Sequence, residues 1–139
     1  MTHTNGHTPD PHRIIVETWH HDTALADLDA WDDAITALDA ALTDVAHARH
    51  AAQDAEGQMA VIEARTTLAT NGANAETRKA AVALVLAGDG IYRQAATRAR
   101  EARLRLTDAE RRAIVAKERC RLLRVALALA GPFTEPHAP

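Results

Sequence analysis

From Tyr92 to Ala130 a small or apolar residue returns at alternating intervals of three and four: Tyr92, Ala95, Ala99, Ala102, Leu106, Ala109, Ala113, Ala116, Cys120, Leu123, Leu127 and Ala130. That spacing marks the a and d positions of a heptad, one narrow seam along a long helix. Most of these residues are alanine, and small seam residues let two helix axes approach more closely than leucine-on-leucine packing does. The pattern therefore demands a second helix of similar length. Upstream, Leu28, Trp31, Ile35, Leu38, Leu42 and Val45 alternate in the same way. Beyond Val45 the stripe weakens to Ala48, Ala52, Ala55, Met59 and Ile62, with a register shift of one residue. Gly57 lies inside this stretch and costs about 1 kcal/mol relative to alanine, so a kink or break is expected near it.

Two interruptions separate these long segments. In "TNGAN", Asn71-Gly72 suits a left-handed helix stop, and Asn74 suits the N-cap of a new helix with Glu76 in its first turn. In "AGDG", Gly88 closes that helix and Asp89 caps the next. The short helix between them is expected to turn Ala81, Leu84, Val85 and Leu86 toward its neighbours. The expected fold is all-α: an elongated antiparallel helical hairpin, or coiled coil, with a short elbow helix, assembling into a helical bundle. A flexible N-terminal tail is expected over 1–18 and the hairpin over 19–131. Its helices are expected at about 21–69, 75–87 and 90–130, with a disordered tail over 132–139.

Composition narrows what such a hairpin can do. Hydrophobic residues are 47% of the 139, but aromatics are only 3%. An alanine-rich core buries little area per residue, so a second subunit is expected to supplement it. In particular, Val115, Leu122, Val125 and Leu129 lie off the seam near the end of the last helix and form a candidate oligomer face. Cys120 is the only cysteine, which excludes an intrachain disulfide and favours a reducing compartment, a cytoplasm. The N-terminal text "MTHTNGHTPDPHR" has no apolar signal core, and "VALALAG" is too short to span a bilayer.

Charge is divided unevenly. Residues 1–70 hold 12 acids and three bases, whereas 71–139 hold 13 bases and seven acids. Around the last seam, Arg98, Arg105, Arg112 and Arg119 occupy one flank (g positions) and Arg103, Lys117 and Arg124 the other (e positions). Antiparallel folding would bring Asp27, Asp32 and Asp39 toward Lys117, Arg119 and Arg124. The same basic row could neutralise phosphates. The aromatic residues that stack on bases are nearly absent, and no zinc-finger or RNP-like motif occurs.

No residue set points to catalysis, a cofactor or a metal. His47 and His50 lie three apart, beside Asp44 and Asp54, but two imidazoles do not define a site. Cys120 reads as a small seam hydrophobe. There is no phosphate-binding loop and no nucleophile–base arrangement supported by spacing.

The segment "NAETRKAAVAL", followed by "GDGIYRQ" and the long Ala/Arg/Glu helix, resembles a group of small helical proteins from bacteriophages and prophages over about residues 71–130. Asn74, Glu76, Arg78, Asp89 and Tyr92 match that layout, while Gly90 stands where proline is more familiar. The resemblance implies an accessory role near phage recombination or replication. It also suggests that Arg78 bonds back to Glu76 or Asn74 and locks the elbow. The sequence thus reads as a non-enzymatic interaction or scaffold protein, acting through self-association and an unidentified protein partner, with no membrane. One alternative is an accessory DNA- or RNA-binding protein using the Arg-rich helix. A second is an acidic nucleic-acid mimic that inhibits a host protein.

Overall fold

The computed structural model describes residues 11–130, with side-chain surroundings over 26–129. Three helices follow in order: α1 (Pro11–Ala69), α2 (Ala75–Gly88) and α3 (Gly90–Ala130). No strand occurs among the described residues. The helix α1 starts at Pro11, earlier than expected, so 11–18 is helical rather than tail. Proline fits a first helical position, where its fixed φ is already helical and its missing N–H is not needed. The tails expected at 1–10 and 132–139 lie outside the described residues.

Two compact units divide the chain: Met1–Leu38 with Ala116–Pro139, and Asp39–Val115. In the second unit α1 and α3 run antiparallel, because Arg49 pairs with Glu110, Glu56 with Arg103 and Glu63 with Tyr92. As one strand of contacts advances along α1, its partners retreat along α3.

The seam of α3 lies where its periodicity puts it. Ala95, Ala99, Ala102, Ala109 and Ala113 are buried, and Leu106, Ala116, Cys120, Leu123 and Leu127 are half-buried. On α1 the seam differs from the sequence expectation. Trp31, Leu38 and Val45 face inward as expected, but their partners are Ala34 and Ala41, while Leu28, Ile35 and Leu42 are exposed. The inward set then continues through Ala48, Ala52, Ala55, Met59 and Ile62 without a shift. Alanine at these d positions lets the helices approach closely there, and the bulky residues of the same heptads occupy the adjoining e position; farther along, Ile62 does hold a d position.

Gly57 does not interrupt α1, which is continuous across it. In α2 the packed residues are Leu86, buried, with Ala81 and Val82 half-buried. Leu84 and Val85, expected inside, are 79% and 52% exposed.

Among the described residues the buried ones are seven alanines and Leu86, and no large side chain is sealed from solvent. Each alanine removes about one methyl's worth of area, on the order of 0.8 kcal/mol. A seam of this kind positions helices closely but supplies little hydrophobic stabilisation per residue.

Candidate interaction surfaces

The elbow that sets the helices side by side is fixed by short-range bonds. At the end of α1, Thr70 Oγ1 donates to the Thr66 carbonyl at 2.7 Å, and Thr67 Oγ1 to that of Glu63 at 2.8 Å. The Thr66 carbonyl is among the last four of α1, which have no continuing N–H donor, so the Thr70 hydroxyl helps satisfy it. Gly72 is not left-handed, so the expected stop does not form there. What requires glycine is proximity: a Cβ would lie 2.7 Å from the Arg78 backbone nitrogen and 2.8 Å from its Cα.

Asn74 caps α2 as its sequence indicates. Its Oδ1 accepts from the Thr77 N–H at 2.8 Å, and Thr77 Oγ1 accepts from the Asn74 N–H at 3.1 Å. Glu76 stands in the first turn. Among the described residues the Arg78 side chain forms no bond to Glu76 or Asn74; its backbone N–H donates to the Asn74 carbonyl at 3.1 Å. Arg78 therefore meets the elbow through its backbone and Cβ. Asp89 serves both neighbours. Its N–H donates to the Leu86 carbonyl at 3.2 Å, while its Oδ1 accepts from the Ile91 N–H at 2.8 Å. One residue thus ends α2 and begins α3.

Just beyond the elbow, Tyr92 donates its hydroxyl to Glu63 Oε1 at 2.7 Å. This hydrogen bond, partial burial and the negative charge of Glu63 all raise the Tyr92 pKa from its ordinary value near 10. Sequence reading placed Tyr92 on the seam but did not pair it with Glu63. The signal available was an acid at the e position, one step from the seam, at the end of α1 nearest the elbow.

The seven bases singled out by the sequence have different surroundings. Arg103 reaches Glu56 across the seam, with Nε at 2.8 Å from Oε1. Arg105 approaches Glu101 on its own helix at 3.9 Å. Arg98, Arg112, Lys117, Arg119 and Arg124 form no ion pair with another described residue. The other cross-seam pair, Arg49 with Glu110 at 3.4 Å, has the acid on α3 and the base on α1. Asp27, Asp32 and Asp39 make no ion pair with a described residue. Among the described residues, two ion pairs join α1 to α3, Arg49 with Glu110 and Glu56 with Arg103.

Val115, Leu122, Val125 and Leu129 are each at least half exposed. Together with Leu28, Ile35 and Leu42 on α1, they give two apolar surfaces on different helices. Neither is part of the seam. His50 approaches Asp54 at 3.5 Å, but no metal-competent group of His, Cys, Asp and Glu occurs among the described residues. An open groove along α3, lined by Gly90, Arg93, Gln94, Thr97, Arg98 and Glu101, encloses no buried reactive group. Among the described residues no helix is long and apolar enough to cross a membrane. No family model, curated protein or solved structure matches the chain.

Proposed function

We propose that this protein is a non-catalytic helical-hairpin interaction module that acts by self-association and by docking a protein partner. One observation carries the reading: the side chains able to drive association are outside. Fourteen large apolar residues are exposed among those described, while seven of the eight buried ones are alanine. Burying a leucine or isoleucine contributes about 1.5–3 kcal/mol, far more than an alanine. Seven of the fourteen fall in two helical rows, Leu28, Ile35 and Leu42 on α1 and Val115, Leu122, Val125 and Leu129 on α3, and that outward placement supports a role in contact with other chains. The resemblance of residues 71–130 to phage and prophage hairpin proteins supports placing that role in a mobile element of a bacterial host.

Size-exclusion chromatography with light scattering tests it. The expected mass exceeds the 15.0 kDa of one chain and rises with concentration. A single-chain mass at every concentration contradicts self-association.

A second reading is favoured by one feature. Arg98, Arg105 and Arg112 recur every seventh residue on an exposed flank, and none pairs across the seam. This supports an accessory nucleic-acid contact through phosphates. Binding that weakens steeply with salt, and whose slope falls when these three become glutamine, is the result this reading requires.

A further inference from the structure

We infer that the nucleic-acid contact proposed above, on which this inference rests, is with double-stranded DNA, and that Arg65 of α1 joins Arg98, Arg105 and Arg112 in making it. The unit Asp39–Val115 has two flanks along its seam, and they differ in charge. On one flank Arg49, Glu56, Arg103 and Glu110 each stand one step after an inward alanine and pair across the helices. That flank neutralises itself. On the other, Arg98, Arg105 and Arg112 stand one step before Ala99, Leu106 and Ala113 of α3. Facing them on α1 are Ala51, Gln58 and Arg65, one step before Ala52, Met59 and Thr66. All six are exposed, and none is acidic.

The cross-helix pairs give the register. Moving from Arg49 to Glu56 on α1 moves the partner from Glu110 back to Arg103 on α3. Continued toward the elbow, the same register sets Arg65 level with Gln94, about one turn from Arg98. In the other direction Asp44, the first acid of this flank, comes level with Val115, past Arg112. The acids of α3 in this unit are turned to other partners: Glu110 to Arg49, and Asp108 to Arg111 at 3.7 Å. Glu101 approaches Arg105, but at 3.9 Å on an exposed face it leaves the guanidinium open to another anion. The flank is thus a row of four cations, arginine in every case.

The row fits a duplex better than a single strand. Single strands are held by stacking on aromatic rings. The one aromatic residue of this unit is Tyr92, which is half-buried and bonded to Glu63. Phosphates alone are then available, and successive arginines seven residues apart are about 10.5 Å apart along the helix. Two such guanidiniums reach the phosphates on both rims of the DNA minor groove, about 6 Å wide between them. The minor groove of an RNA duplex is wide and shallow and fits this spacing less well.

Fluorescence anisotropy of the full chain with a short labelled DNA duplex tests the surface. Three to four phosphate contacts predict a slope of log affinity on log salt of about −3 to −4, a loss of roughly 40- to 150-fold between 50 and 200 mM salt. Arg65→Gln and Arg105→Gln should each make the slope shallower by about one. Arg65→Lys should preserve it, and Arg103→Gln, on the self-neutralised flank, should leave it unchanged. Single-stranded DNA, duplex RNA and poly-glutamate should each bind more weakly. Circular dichroism checks that every variant keeps its helix content. A slope that responds to Arg105→Gln but not to Arg65→Gln, or a preference for single strands or RNA, overturns this inference and leaves the phosphate contact standing. Equal binding to poly-glutamate, or no binding of any nucleic acid at low salt, overturns both.

Discussion

Two glycines show that a residue's role depends on what it touches. A Cβ at Gly57 meets nothing within 4 Å, and the helix continues through it. Gly57→Ala should therefore stabilise the fold by about 1 kcal/mol, raising Tm by a few degrees. At Gly72 the added Cβ collides with the backbone of Arg78, 2.7 Å away. Gly72→Ala should destabilise by roughly 1–3 kcal/mol, with denaturant melts as the check. Tyr92→Phe removes the bond to Glu63 and should cost about 1 kcal/mol near neutral pH. The folded-state pKa of Tyr92 is raised above that of the unfolded chain. Its contribution is therefore complete below about pH 10 and is lost as pH rises through the raised value. Melting curves of wild type and Tyr92→Phe should converge in that alkaline range; a constant gap would contradict the assignment.

Among the elements, α3 and the caps were legible in the sequence and the register of α1 was not. The seam of α3 can be read directly because its alternation of three and four is unbroken from Tyr92 onward. Asn74 and Asp89 are legible because short side chains that bond a nearby N–H are what a helix start needs. Asn74→Ala should cost about 1 kcal/mol, measured by chemical denaturation. In α1, by contrast, Ile35 and Leu42 are the obvious apolar residues of their heptads, yet Ala34 and Ala41 face α3. That choice belongs to the partner helix. Ile62 shows that a large residue can hold the d position, so which register α1 uses depends on its packing against α3, and no reading of α1 alone contains that constraint. The same reasoning predicts that Ala109→Leu, at a position only 2% exposed, forces the helices apart and costs at least about 1–3 kcal/mol. Leu122→Ser, on the exposed side, should leave the melting temperature of the dilute protein nearly unchanged.

For the whole molecule, opposite charges on the two halves suggested mutual neutralisation along the hairpin. The contacts are fewer and of mixed polarity: Glu56 with Arg103, and Arg49 with Glu110. Exposed pairs of this kind contribute only about 0–1 kcal/mol each, so they cannot dictate which long side chains meet. Several other ion pairs close within one helix, at three- or four-residue spacing. Among the described residues the remaining acids and bases are exposed or half-buried, beside fourteen exposed large apolar residues. The candidate surfaces were partly visible in advance. Val115, Leu122, Val125 and Leu129 lie off the seam on periodicity alone, whereas Leu28 and Ile35 were concealed by being assigned to it.

The account turns on small residues facing inward while large ones face outward, and adjacent positions on α1 separate the two most sharply. Single cysteines at Ala34 and at Ile35, in a Cys120→Ala background, can be titrated with a thiol reagent at concentrations where each chain is alone. Ala34 is 3% exposed and Ile35 41%. The cysteine at 35 should react nearly as fast as one in an unfolded peptide, and the cysteine at 34 should be strongly protected. Equal protection at both positions, or faster reaction at 34, would contradict the alanine seam.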